Sequence, residues 1–172
     1  MKYGAVIVDI DNCISDDRWR LKYLDAIYAE HGLGIGIGKW HVYNSLAPYD
    51  EPANQLKFLK EMTSLNDPPV IFSTARPEIY RVATQLWLER HFGKIINFGA
   101  LMMRQSSDTR IAAEVKRDNM FVALRELKLP PDTRQILKAY EDDHQTQAMY
   151  LAEGIKTVNV NILTNSFQEI NA

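Results

Sequence analysis

The chain has 172 residues, of which 46% are aliphatic, aromatic or sulphur-containing, enough for one domain with a buried core and an insertion. Lys and Arg number 20 against 22 Asp and Glu, a formal net charge of −2, which excludes the global basic footprint of a protein that coats long duplex nucleic acid. No apolar run approaches the roughly 20 residues that span a bilayer, and Met1-Lys2-Tyr3 leads straight into the first apolar run with no signal-peptide pattern, so a cytoplasmic protein without a membrane partner is expected. The single cysteine, Cys13, offers neither an internal disulfide nor a Cys-rich zinc site and reads as a small buried residue.

Taken in chain order, Ala5-Val-Ile-Val8 reads as a buried strand that stops at Asp9-Ile-Asp11-Asn12. An amphipathic helix is predicted over about Asp17–His31, then a glycine-rich segment, then a polar-aromatic stretch to Pro52. A helix over about Ala53–Met62 leads through Asn66-Asp67-Pro68-Pro69 into a strand at Val70–Thr74. The next helix, about Glu78–His91, has Pro77 at its first turn and Gly93 just past its end. A strand near Ile96–Met102, a helix over about Arg110–Leu127, a strand over Arg134–Tyr140, a helix over Gln145–Glu153 closed by Gly154 and a last strand over Lys156–Val160 complete the chain. Five strands alternating with helices predict an α/β, Rossmann-like three-layer fold around a mostly parallel five-stranded sheet. The connection from Cys13 to Pro69 is too long for one βα loop and helix, so residues 1–172 are expected to form a single domain with a small cap inserted at about 14–68.

In open α/β sheets the ligand sits at the carboxyl ends of the strands. Those ends carry Asp9 and Asp11, then Ser73, Thr74 and Arg76, then Glu141, Asp142 and Asp143, with Lys116 one to two turns into the helix after the third strand. Asp9 and Asp11 point to one side of an extended chain and repel unless a cation or a shared proton intervenes. The alternative for this stretch alone is a turn whose Asp, Asn and Ser residues cap the next helix. Hard carboxylate oxygens without Cys or paired His suit Mg²⁺, and a lysine and a hydroxyl beside such a metal suit phosphoryl transfer, with an aspartate able to serve as nucleophile.

These residues resemble the motifs of the haloacid dehalogenase superfamily of phosphotransferases, with Asp9-Ile10-Asp11-Asn12 as the first, Thr74 as the second, Lys116 as the third and Asp142-Asp143 as the fourth. The segment Arg104–Phe121, with Asp108-Thr109-Arg110 and Val115-Lys116, and the turn Thr74-Ala75-Arg76 are similar to the 3′-phosphatase domain of phage-type polynucleotide kinase/phosphatase. The resemblance implies that Asp9 takes the phosphoryl group as an aspartyl-phosphate and that Asp11 protonates the leaving oxygen and later deprotonates water. It also implies Mg²⁺ held by the Asp9 carboxylate, the Asp11 main-chain carbonyl and Asp142, with Asp143 either coordinating directly or standing behind the ligands, and Thr74 and Lys116 on the phosphoryl oxygens. Asn12-Cys13 stands where the superfamily usually has Gly-Thr, His144 stands where the polynucleotide enzyme has arginine, and no G-x-x-x-x-G-K-[ST] kinase loop occurs.

The expected activity is therefore a Mg²⁺-dependent phosphomonoesterase that removes 3′-phosphates from nucleic-acid ends. The alternatives are a nucleoside or deoxynucleoside 5′-monophosphate phosphatase and an inactive metal-binding partner module. Arg76 and Arg104, with Ser73, are candidates for binding substrate, because guanidinium forks suit phosphate; the competing role of the arginines is an ion pair with an acidic neighbour. Arg18 and Arg20 are read either as phosphate contacts or as a solvated face, and Trp40, His41 and Tyr43 either as a base-stacking platform or as packing of the cap. Gly32, Gly34, Gly36 and Gly38 follow a helix and read as connection rather than a phosphate loop. His144 is read as a metal or substrate neighbour or as part of a helix start, Lys116 taken alone as an exposed helix lysine, and Met102 and Met103 as core.

Overall fold

A computed structural model describes residues 4–24, 39–93 and 96–170. Ala5–Val8 (β1) is buried along its whole length because it lies mid-sheet, and its side chains alternate between two cores. It pairs in parallel with Val70–Pro77 (β4) on one side and Ile136–Glu141 (β6) on the other. Phe98–Arg104 (β5) extends the sheet beyond β4, and Thr157–Asn161 (β7) extends it beyond β6. These five strands are the predicted parallel set.

The sheet has a sixth strand that the sequence reading left out, Ser166–Ile170 (β8), antiparallel to β7, in the order β5-β4-β1-β6-β7-β8. It is an edge strand with only half-buried or exposed residues, so it lacks the apolar run that marks a central strand. Its hairpin turns on Asn161, whose Oδ1 accepts from the Leu163 and Thr164 amides, and on Asn165 in the left-handed region at φ 48°. Phe167 packs against Tyr140, ring centroids 5.5 Å apart.

Helices Gln55–Ser64 (α2) and Arg81–Phe92 (α3) cover one face, where Phe58, Met62, Trp87, Leu88 and Phe92 meet Val6, Val8, Phe72 and Tyr140. Ala112–Glu126 (α4) and His144–Ala152 (α5) cover the other, where Met120, Ala123, Leu124 and Tyr150 meet Ala5, Ile7, Ile71 and Ala139. The result is three layers. Met102 and Met103 divide between the two cores, as alternation along β5 requires.

Between β1 and α2 the described residues form a separate two-stranded antiparallel sheet, Ser15–Asp16 (β2) and Glu51–Pro52 (β3), with the short helix Lys39–Ser45 (α1) and 3-10 turns at Arg18–Leu24 and Ala47–Tyr49. Where the sequence predicts an α-helix from Asp17, the chain takes a 3-10 path through Leu24; the remainder of that prediction, and the glycines at 32, 34, 36 and 38, lie outside the described residues. The buried residue of this turn is Arg20 rather than an apolar stripe. Helix α2 belongs to the main body, since Phe58 is fully buried with its ring edge-on to Phe92 (5.9 Å) and Tyr140 (6.1 Å). Replacing Phe58 with Ala is expected to cost about 3–5 kcal/mol in urea unfolding, and a near-neutral result would place α2 outside the core.

Candidate active site

The carboxyl ends of β1, β4 and β6 converge as expected of strands at the middle of a parallel sheet. After Val8 the chain makes a tight turn in which the Cys13, Ile14 and Ser15 amides point to the Ile10 carbonyl and Asn12 adopts φ 55°. Asparagine tolerates that left-handed conformation better than most side chains, which explains how it stands where glycine is usual. Its Nδ2 donates to Asp142 Oδ2 at 2.6 Å, so the turn also positions the acidic group after β6.

Lys116, in the second turn of α4, is 3% exposed rather than a surface lysine, and its Nζ donates to Asp9 Oδ1 and Glu141 Oε2, both at 2.7 Å. Burial pulls its ammonium towards the neutral form, but Asp9 and Glu141 outweigh that and hold it charged. Burial, reinforced by Glu141, raises the Asp9 carboxyl well above its usual range. Burial likewise pushes Glu141 up to about 7 against the pull of Lys116. Ligand oxygens of Asp9, Glu141 and Asp142 lie within 4.8 Å of one another. Three carboxylates against one ammonium leave two negative charges when all are ionised, the charge of one divalent cation, and Asp9 Oδ2 and Asp142 Oδ1 receive no hydrogen bond among the described residues. An all-oxygen donor set of this kind fits Mg²⁺.

The fourth motif divides its labour in a way the sequence did not disclose. Glu141, not singled out as a site residue, joins the acidic group, whereas Asp143 caps α5, its Oδ2 accepting from the Thr146 amide at 2.8 Å and hydroxyl at 2.7 Å. His144 is exposed, its Nδ1 paired with Gln147 Oε1 at 3.1 Å.

Asp11 faces a second cluster. Arg76 Nη2 donates to Asp11 Oδ1 at 2.7 Å and its Nε at 3.1 Å, Arg20 Nη2 donates to the same oxygen, and Thr74 Oγ1 donates to Oδ2 at 3.2 Å. Burial would raise the Asp11 carboxyl, but the two guanidinium groups override it and hold it far below the ordinary carboxylate range. Beneath them Asp50, 3% exposed, accepts from Arg20 Nε (2.8 Å) and Nη2 (2.7 Å), Ser15 Oγ (2.5 Å) and Trp19 Nε1 (2.9 Å). Two arginines balance two aspartates here, so this cluster closes on itself in charge. Arg20 is thus neither solvated nor free: it is fully buried with its guanidinium 3.9 Å over the Tyr43 ring.

The remaining candidates are placed as follows. Arg76 takes the ion-pair role rather than pointing free into the rim. Arg104 binds main chain, its Nε donating to the Ala75 carbonyl (3.2 Å) and its Nη1 to those of Asp108 (3.1 Å) and Arg110 (2.6 Å), and so clips β5 to β4. Ser73 is buried, its Oγ without a hydrogen-bond partner among the described residues. Arg18 is exposed and paired with Asp16, and Cys13 is buried against the Tyr140 carbonyl. Of the aromatics, Tyr43 is buried with its hydroxyl donating to Asp17, while His41, paired with the Tyr80 hydroxyl, and Trp40 are exposed. Asp50 carried no local signal, since an acidic residue after Ala-Pro-Tyr reads as a surface loop.

No protein-family model and no curated protein matches the sequence. Among solved structures, a hydrolase of the haloacid dehalogenase-like family from Streptococcus pneumoniae superposes with a TM-score of 0.62 at 13% identity, over 95% of this chain and 89% of that one. A chain of the Pnkp1/Rnl/Hen1 complex superposes with a TM-score of 0.60 at 19% identity, covering 92% of this chain and 45% of its own. A haloacid dehalogenase-superfamily hydrolase from Ehrlichia chaffeensis gives 0.58 at 11% identity, over 92% and 88%. The chain therefore has the haloacid dehalogenase-like fold. It spans less than half the length of its match in the Pnkp1/Rnl/Hen1 complex.

Asp50→Ala removes the acceptor shared by Arg20, Ser15 and Trp19 and leaves a buried guanidinium with one carboxylate. A loss of about 3–5 kcal/mol in urea unfolding is expected, and a loss below about 1 kcal/mol would mean that solvent replaces the lost partner.

Proposed function

We propose that this protein is a Mg²⁺-dependent phosphomonoesterase in which Asp9 is the nucleophile, and that it removes 3′-phosphates from nucleic-acid ends. The observation that carries the reading is Asp9 at the tip of the central strand, clamped by Lys116 inside a group of three carboxyls that one ammonium cannot neutralise once they are ionised. The haloacid dehalogenase-like fold supports the reaction class. The match to the Pnkp1/Rnl/Hen1 RNA repair complex, together with the polynucleotide-phosphatase-like segment around Lys116, supports a nucleic-acid end over other phosphate esters.

Asp9, Glu141 and Asp142 would hold the metal, with Asp143 retained as a neighbour through its cap. When bound, Mg²⁺ supplies charge that offsets the phosphoryl oxygens and keeps Asp9 ionised at neutral pH. Asp9 Oδ2, free of Lys116, attacks phosphorus as the P–O bond to the leaving sugar oxygen breaks. Lys116 and Thr74 stabilise the phosphoryl oxygens. Asp11 gives a proton to the sugar oxygen and, as carboxylate, takes one from the water that releases phosphate. With Arg20 and Arg76 on it, Asp11 is held in its carboxylate form, the form the second half-reaction needs. Its acid role requires those guanidinium groups to turn to the substrate phosphate, for which their fork geometry is suited. The two-stranded insertion beside Asp11 acts as the cap.

Asp9→Asn is expected to fold and to lose turnover by about 10⁴-fold or more; near-wild-type activity with Mg²⁺ present would remove Asp9 from the role. Comparing kcat/KM for 3′-phosphorylated oligonucleotides, 5′-phosphorylated oligonucleotides and nucleoside monophosphates should favour the first, and a preference for mononucleotides would establish the alternative substrate.

A pH effect follows from Glu141, whose carboxyl binds its proton more tightly in the folded chain, at about 7, than its ordinary value of 4.5. Its stabilising contribution is complete below the lower value and is lost as pH rises through the upper one. Urea midpoints in chelator should fall across that window, millimolar Mg²⁺ should restore them, and Glu141→Gln should flatten the fall; a flat wild-type profile would show that solvent or relaxation relieves the buried charge.

A further inference from the structure

We propose that the cavity between Trp19 and Tyr49 binds the nucleobase of the nucleotide that carries the scissile phosphate. This rests on the phosphomonoesterase reading and specifies the part of its substrate that the chemistry leaves undefined. The cavity is an open cleft of about 700 Å³ lined by Asp16, Arg18, Trp19, Tyr49 and Glu51, a size in the range of small-molecule sites.

Two aromatic rings stand at its walls with no core to fill. Tyr49 is 73% exposed and Trp19 40% exposed. Trp19 is nonetheless fixed, because its indole N–H donates to the buried Asp50 Oδ1 at 2.9 Å. A ring anchored through its polar edge presents its face, which is what stacking on a base requires. Tyr49 is positioned by the 3-10 turn Ala47–Tyr49, and its hydroxyl has no hydrogen-bond partner among the described residues.

The rim supplies polar recognition. Asp16 and Glu51 are directly opposite each other across the β2–β3 pair. Asp16 is already bound by the Arg18 guanidinium, with Nε at 2.7 Å, whereas the Glu51 carboxylate makes no hydrogen bond or ion pair among the described residues. An exposed carboxylate beside two rings accepts from amino and imino N–H groups, which base edges present and sugars or alkyl phosphates do not.

The location is on the leaving-group side of the site. Trp19 Nε1 bonds Asp50, Asp50 bonds Arg20 and Arg20 bonds Asp11, three consecutive hydrogen bonds that keep the indole within about 10 Å of the Asp11 carboxylate. Asp11 is the group assigned to the sugar oxygen, so the nucleoside must extend from Asp11 and not from Lys116. Among the described aromatics of the insertion, Trp19 and Tyr49 line that cavity, whereas Trp40, read as either a stacking or a packing residue, packs edge-on to Tyr43 at 5.7 Å.

The test separates base binding from catalysis. Adenosine and guanosine, which carry no phosphate, are titrated into the full chain with tryptophan fluorescence as the readout, using wild type, Tyr49→Ala and Tyr49→Phe. Saturable quenching is expected in wild type, with affinity at least about fivefold weaker in Tyr49→Ala, the lower edge of a base–aromatic stack, and recovered in Tyr49→Phe. In parallel, the ratio of kcat/KM for a nucleoside 3′-monophosphate to that for glycerol phosphate should drop at least as far in Tyr49→Ala and return in Tyr49→Phe, and a 3′-phosphorylated oligonucleotide should follow the mononucleotide. Absence of saturable nucleoside binding, or equal affinity in Tyr49→Ala, overturns the base site even when phosphate esters are hydrolysed. Inert phosphate esters alongside Tyr49-dependent nucleoside binding would instead overturn the phosphatase reading and leave the base site standing.

Discussion

Lys116 lies between Asp9 and Glu141, out of water, and the rest of the site is arranged around that contact. A buried ammonium needs carboxylates, and two buried carboxylates with a third beside them carry more charge than one ammonium offsets. Burial, reinforced by that excess, raises Asp9 and Glu141, and the all-oxygen group at the edge of the sheet is of a kind that fits a doubly charged cation. The same contact ties α4 to β1 and β6, so the charge arrangement and the docking of a helix on the sheet are one event.

Beside it the arginine–aspartate cluster solves the opposite problem. Asp11, Asp50, Arg20 and Arg76 balance in charge; Asp50 gathers Ser15, Trp19 and Arg20 within the insertion and ties it to the main body through Arg76 at 3.5 Å and the Trp87 indole, which donates to its carbonyl at 2.8 Å. The two clusters differ in what each lacks. One is short of positive charge and so suits a metal and a phosphoryl group; the other is complete, and its guanidinium groups are available to a phosphate only by exchange with Asp11. Asp9 and Asp11, two positions apart on one turn, are thereby pushed in opposite directions, Asp9 towards the protonated form and Asp11 towards the carboxylate.

The insertion carries Trp19 and Tyr49 on 3-10 turns beside an open cleft, and hydrogen bonds run from Trp19 through Asp50 and Arg20 to Asp11. Among the described residues no helix is long and apolar enough to cross a membrane.

What the amino-acid sequence determined by itself was carried by short-range signals. The β-branched run ending at Asp9-Ile-Asp11, the capping and turn residues around Pro77, Gly93 and Gly154, and the order of strand-end residues defined a mostly parallel α/β sheet and pointed to Asp9, Asp11, Thr74, Lys116 and Asp142. Only the tertiary structure decided which partner each of these takes. Lys116 meets Asp9 across 107 residues of chain and Arg20 meets Asp50 across 30, and no periodicity encodes a pairing at such separations. For the same reason Asp50 looked like a loop residue, Glu141 like the last residue of a strand, and β8, which buries too little to leave an apolar pattern, like the end of the chain. Local geometry is written in neighbouring residues, whereas the burial of a charge is settled only when distant segments close over it.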